Sequence, residues 1–164
     1  MAETKSREDL ETFLDYQFKD TEIIEAARRR RAYTNEHDDG NTGCMDPLAT
    51  LGDAVLDTIV VLKLYQDGER SKGKITEKKI EKVRRRRTRA FAENHDLRDY
   101  ILWGKGEYKQ MDSVRKGKAL DTVTEALIGA VFLDAQESAE NGLQVVQNFL
   151  EKRRFFQSEF QNDF

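Results

Sequence analysis

The sequence predicts an all-α protein. Three observations point that way: one proline, Pro47, leaves long stretches free to be helical; apolar residues recur three and four apart; and no run alternates apolar and polar residues with the period of a strand. The first amphipathic segment carries Leu10, Phe13 and Leu14, and the second carries Ile23, Ile24 and Ala27. "DDGNTG", at 38–43, reads as a loop. Asp46 and Pro47 then predict a helix start, with Asp46 as cap and Pro47 at the first helical position. The helix they open sets Leu48, Leu51, Val55, Leu56, Ile59 and Leu62 at helical spacing and is expected to run to about residue 64. "QDGERSKGK", at 66–74, breaks it. Thr76 is expected to cap the next helix, whose apolar side is marked by Ile80, Val83, Ala90 and Phe91. "LWGKGEYKQMD", at 102–112, reads as an irregular, glycine-bearing loop. A buried helix is expected over about 118–133, and a last amphipathic one over about 138–153 with Leu143, Val146, Phe149 and Leu150.

The 164 residues suffice for one core, expected as an N-terminal arm at 1–8, a single domain at 9–153 and a C-terminal tail at 154–164. At 38% hydrophobic and 36% charged residues the chain is polar, yet far from the composition of a disordered one. Its longest apolar run, "ALIGAVFL" at 126–133, is too short to cross a bilayer, and the charged start "MAETKSREDLE" does not read as an export signal. Cys44 is the only cysteine, which excludes an internal disulfide and a cysteine-built zinc site. A cytoplasmic location with no membrane partner is the expectation.

A net charge of −3 by itself suggests no polyanionic partner. Arginines nevertheless cluster in "ARRRRAY" at 27–33 and "ITEKKIEKVRRRRTRAF" at 75–91. Each run is either a solvated helix face or a phosphate-binding patch.

Two segments, "LGDAVLD" at 51–57 and "TEALIGAVFLD" at 124–134, combine dense apolar faces with carboxylates and a glycine. Glycine inside a helix costs roughly 1 kcal/mol relative to alanine. Gly52 and Gly129 therefore suggest close backbone approach, and if the two helices pack together, Asp53 and Glu125 face each other. Two carboxylates in a partly dry site either share a proton or bind a cation. A set of oxygen ligands alone selects Mg²⁺ or Mn²⁺, which in nucleases activates water and stabilises the leaving oxygen. The competing reading satisfies each acid with an arginine or a hydrogen bond, and helix capping alone accounts for Asp46.

The order "RRRRAYTNEH", "LGDAVLD", "GKITEKKIEKVRRRRTRAFAENHDL", "LWGKGE", "EALIGAVFLD" resembles the ribonuclease III endonuclease domain, from about residue 9 to residue 150. The resemblance implies an all-helical bundle that forms a homodimer, binds double-stranded RNA in a valley across the dimer, and hydrolyses one phosphodiester on each strand with Mg²⁺. The products carry 5′-phosphates and 3′-hydroxyls. Recognition of A-form shape, phosphates and 2′-hydroxyls suits scattered arginines, and Arg84, Arg85, Arg86, Arg87 and Arg89 are the candidate nucleic-acid contacts. In layout the chain is similar to the short "mini" members, without a separate double-stranded-RNA-binding domain.

Carried over residue by residue, the resemblance implies catalytic roles for Asp53, Glu125 and Asp121, and metal binding by Asp53, Glu125 and Asp46; Asp57 is a further oxygen within a turn. The chain also departs from the pattern. Ala49 stands where the family has a metal-binding glutamate, and Thr122 where it has an aspartate. Asp121, one residue earlier, is turned about 100° around the helix but shares a face with Glu125. Thr50 replaces an aromatic residue that family members insert into the partner subunit. The remaining acids suit one Mg²⁺ or Mn²⁺ held through waters, not a tightly bound pair. Two functions follow: a divergent ribonuclease III-type endonuclease acting on double-stranded RNA in RNA processing, or a catalytically inactive module that binds structured RNA within a processing complex or ribosome. Trp103 and Tyr108 serve packing, dimer contact or RNA contact.

Overall fold

In the computed structural model, residues 3–37, 42–83, 85–110 and 116–157 are described, the side chains of residues 85, 86 and 116–118 excepted. The first turns form where the sequence supplies caps. Ser6 and Asp9 close a capping box at the start of α1 (Arg7–Leu14), and Asp20 accepts from the Glu22 amide at 2.9 Å to open α2 (Thr21–Arg28). There follow α3 (Arg31–His37), α4 (Met45–Gln66), α5 (Lys72–Val83) and α6 (Arg85–Asn94). A 3-10 turn at Leu97–Tyr100 leads to α7 (Lys105–Lys109), α8 (Lys116–Glu137) and α9 (Gly142–Lys152), the last capped by Asn141. The fold is all-α; among the described residues the only β-type pairing is an isolated bridge between Arg29 and Leu102.

The two 22-residue helices α4 and α8 pack along each other at the centre, with α2, α6 and α9 against α8 and α5 against α4. Leu56, Ile59 and Val60 of α4 meet a core that includes Val123, Leu127, Ile128 and Val131 of α8. A Cβ on Gly52 would lie 1.7 Å from the Glu125 carbonyl oxygen, and one on Gly129 would lie 2.0 Å from that of Leu48. The backbones thus touch at both glycines, as their helix cost suggests. No helix among the described residues is long and apolar enough to cross a membrane.

Some local expectations are corrected. Cys44, not Asp46, is the N-cap of α4, and it makes no side-chain cap bond; Asp46 and Pro47 lie inside the first turn. Thr76 lies within α5, donating to the Lys72 carbonyl at 2.9 Å, while the Ser71 hydroxyl accepts from the Lys74 amide at 3.4 Å near the true start. This earlier start turns Ile75 to the core and leaves Ile80 52% exposed. The expected helix over 76–91 is occupied by α5 and α6 on either side of residue 84, which lies outside the described residues, and α7 forms inside the expected loop at 102–112. Residues 38–41 of the expected loop lie outside the described residues.

The first arginine run is largely engaged in internal pairs, with Arg31 staying mostly exposed. Arg28, 8% exposed, donates to the carbonyls of Tyr100 and Lys5 and to Glu25. Arg30 reaches Glu107 through two nitrogens at 3.0 and 2.8 Å, Arg31 bonds Asp46 at 2.8 Å, and Arg29 lies 3.9 Å from Glu22. These pairs tie α2 and α3 to the 3-10 turn, to α7 and to α4.

Candidate functional site

The crossing of α4 and α8 sets where the acids stand. Gly52 rests on the backbone of Glu125, so the residue after Gly52, Asp53, begins at the edge of the seam. Asp53 is exposed and Glu125 half-buried. One turn before Glu125, Asp121 is only 5% exposed and forms an ion pair with Arg89 of α6, Nε to Oδ1 at 3.6 Å. Beside this pair the buried Thr124 hydroxyl donates to the Thr88 carbonyl at 2.8 Å, which fixes α6 on α8.

The other acids have basic partners. The Asp46 carboxylate accepts from Arg31 and holds that guanidinium's pKa above its ordinary value, chiefly through the hydrogen bond and then through charge. Asp57 accepts from Lys79 at 2.7 Å. Ala49 is buried, and the Thr50 hydroxyl is turned back to the Asp46 carbonyl at 3.2 Å. Among the described residues, no three His, Cys, Asp or Glu side chains form a group able to hold a metal ion.

Of the candidate nucleic-acid arginines, Arg84 lies outside the described residues, as do the side chains of Arg85 and Arg86. Arg87 donates to the Phe155 carbonyl at 3.2 Å, and burial lowers its pKa from the ordinary value. It ties α6 to the turn after α9. Replacing Arg87 with alanine is expected to cost about 1 kcal/mol of stability for the lost internal hydrogen bond, as measured by urea denaturation. Trp103 is used in packing: its indole donates to the Arg98 carbonyl at 2.9 Å, and the Arg30 guanidinium lies 5.6 Å from the ring centroid.

Residues 20–154 match the ribonuclease-III-like family. The chain belongs to that family. Its similarity to ribonuclease 3 of Listeria monocytogenes is 33% identity over 146 residues, covering 88% of this chain and 61% of that protein. To ribonuclease 3 of Bordetella pertussis it is 35% over 127 residues, covering 77% and 46%. This ribonuclease-III-like chain therefore spans less than two thirds of the length of the curated relatives it matches. Its fold is similar to the nuclease domain of ribonuclease III from Campylobacter jejuni, with a TM-score of 0.75 and 26% identity over 90% of this chain and 98% of that one. The region involved in dimer formation is described as structurally flexible in the Campylobacter domain.

The pairing of Arg89 with Asp121 in this ribonuclease-III-like domain was not apparent from the sequence. The available signal was an acid beside Leu120 and Val123 in a mostly apolar helix, which requires a partner without saying which.

Proposed function

We propose that this chain is a divalent-metal-dependent endonuclease domain that cuts double-stranded RNA in RNA processing, with Asp53 and Glu125 at its centre. The observation that carries the reading is the backbone contact of Gly52 with Glu125, which sets the two acids on adjoining positions of the central helices. As a donor set they fit a hard cation: both offer carboxylate oxygens, and both retain solvent access. With Asp46 and Asp57 turned to Arg31 and Lys79, the fit is to one Mg²⁺ or Mn²⁺ that keeps most of its waters. When bound, the ion supplies Lewis-acid polarisation and a more acidic water.

The chain's own residues do the positioning. Asp53 approaches from the solvent side and Glu125 from the half-buried side, while Asp121 stays buried against Arg89. Arginines of the second run, including Arg84, Arg85 and Arg86, contribute phosphate contacts that recognise the A-form duplex without reading bases. The same reading makes the protein a cytoplasmic homodimer, with the exposed Thr50 standing where family members present an aromatic residue to the partner.

One observation favours a second reading, an RNA-binding module that does not cut: no group of three potential ligand side chains forms among the described residues. Long double-stranded RNA incubated with the protein and Mg²⁺ or Mn²⁺ separates the two. The wild type is expected to give products with 5′-phosphates, and Asp53→Asn and Glu125→Gln are each expected to slow cleavage by about 100-fold or more. Retained RNA binding with no cleavage by the wild type would establish the second reading.

A further inference from the structure

We propose that Arg89 is a catalytic residue of the cleavage site, its guanidinium contacting the scissile phosphate from a position held by Asp121. The proposal rests on the endonuclease reading above and assigns Arg89 a role narrower than contact with groove phosphates.

The placement is set by two interactions between α6 and α8. Thr124 directly precedes Glu125, and its buried hydroxyl bonds the carbonyl of Thr88, the residue directly before Arg89. The Arg89 backbone is thereby fixed beside the turn of α8 that carries Glu125. Its side chain then meets Asp121, which shares a face of α8 with Glu125 at i, i+4 spacing. The cation thus stands among the acids that the cleavage reading uses.

Arg89 differs from Arg28, Arg30, Arg31 and Arg87 and, like Arg29 and Arg98, is held by an ion pair alone among the described residues; unlike those two, it pairs with a buried acid beside the seam. Arg28, Arg30, Arg31 and Arg87 each donate hydrogen bonds to carbonyls or carboxylates of the chain. Arg89 has a single charge partner among the described residues, at ion-pair distance, and 40% of its side chain is exposed. It combines a fixed root with a solvent-reachable, charged end. Nearly full burial of Asp121 makes releasing that partner costly, so the guanidinium is held near the seam instead of swinging into solvent.

The chemistry has use for such a group. In hydrolysis, the water oxygen forms a bond to phosphorus, the bond from phosphorus to the 3′-oxygen breaks, and the proton lost by the water is balanced by one gained by the leaving oxygen. Negative charge builds on the phosphoryl oxygens during this exchange. With Ala49 and Thr122 in place of carboxylates, the chain has ligands for one cation, and a second positive centre must come from elsewhere. A guanidinium presents paired donors to two phosphate oxygens and stays protonated throughout, so Arg89 gives and takes no proton.

The test compares wild type, Arg89→Ala and Arg89→Lys in single-turnover cleavage of a double-stranded RNA with Mg²⁺, with RNA affinity measured across a salt series in EDTA and folding checked by thermal melting. Arg89→Ala is expected to lower the cleavage rate at saturating RNA by about 100-fold while affinity changes by less than about threefold and the salt slope stays unchanged. Arg89→Lys, which keeps the charge without the fork, is expected to recover part of the rate. An unchanged rate with weaker binding and a salt slope shallower by about one unit would overturn the proposal and make Arg89 a groove contact. A rate loss accompanied by a lowered melting temperature in both variants would also overturn it, assigning the pair to folding. Absence of cleavage by the wild type would defeat the endonuclease reading itself and this proposal with it.

Discussion

Gly52→Ala is expected to destabilise the domain by about 3 kcal/mol or more, a large share of the roughly 5–15 kcal/mol that holds a domain of this kind together. Helix propensity alone gives the opposite sign, since alanine is favoured over glycine in a helix interior by about 1 kcal/mol. At this position the added Cβ would meet the Glu125 carbonyl oxygen at 1.7 Å, the Glu125 carbonyl carbon at 2.7 Å and the Gly129 nitrogen at 2.8 Å. All three are backbone atoms, and no rotamer change moves them. Relief requires α4 and α8 to separate by roughly 1–2 Å, which loosens contacts along the central pair of helices. Gly129→Ala meets the Leu48 carbonyl oxygen at 2.0 Å and is expected to act in the same direction. Gly73 in α5 is the control: its nearest neighbour would be the Ser71 hydroxyl oxygen at 3.9 Å, so Gly73→Ala is expected to stabilise by about 0.5–1 kcal/mol. Urea denaturation followed by circular dichroism measures all three. A Gly52→Ala protein as stable as the wild type would mean that the two helices do not touch there, and Asp53 and Glu125 would lose their common seam.

The central helices were legible because their signals are local. α4 and α8 are covered on several sides, so their residues must be apolar over many turns, and a glycine among them needs a packing reason. The short helices were not. A five-residue helix such as α7 cannot offset its own nucleation cost; it is held by the Glu36 carboxylate, which accepts from the Lys105 amide at 2.9 and 3.0 Å, and by Arg30 on Glu107. The start of α4 shows the same limit. Met45 is fully buried and its amide donates to the Arg29 carbonyl at 2.9 Å, so tertiary contact fixes the first turn one residue before the aspartate that local chemistry favours as cap. Family resemblance named Asp53, Glu125, Asp121 and Asp46 as site acids. Arg31 on Asp46, Arg89 on Asp121 and Lys79 on the neighbouring Asp57 come from other helices, and only the packing of those helices decides which acid each long side chain meets.

Asp134→Ala is expected to cost about 3 kcal/mol, because it would remove one buried carboxylate that accepts three part-buried hydrogen bonds. The sequence shows Asp134 merely as the end of an apolar run, yet in the fold it is 1% exposed and accepts from the Tyr16 hydroxyl at 2.6 Å, the Lys19 amide at 3.0 Å and the Asp20 amide at 2.8 Å. These donors belong to the link between α1 and α2, so one carboxylate of α8 supplies the acceptors that this irregular segment lacks. Asp134→Asn keeps the size but replaces one acceptor oxygen with a donor, and is expected to be destabilising as well. Tyr16→Phe removes one bond of the three and is expected to cost about 1 kcal/mol; combined with Asp134→Ala it should cost less than the sum, since the two changes share that bond. The pH dependence gives a separate check. Burial, followed by the bond to Asp134, raises the Tyr16 phenol pKa above its ordinary value. The protonated phenol therefore contributes stability that is fully present below the unfolded value near pH 10 and is lost as pH rises from there toward the folded value. Urea midpoints of the wild type should fall above about pH 10, and this alkaline loss should be smaller in Tyr16→Phe. Identical alkaline behaviour in the two proteins, or an Asp134→Ala variant within about 1 kcal/mol of wild type, would show that the carboxylate does not hold this link to α8.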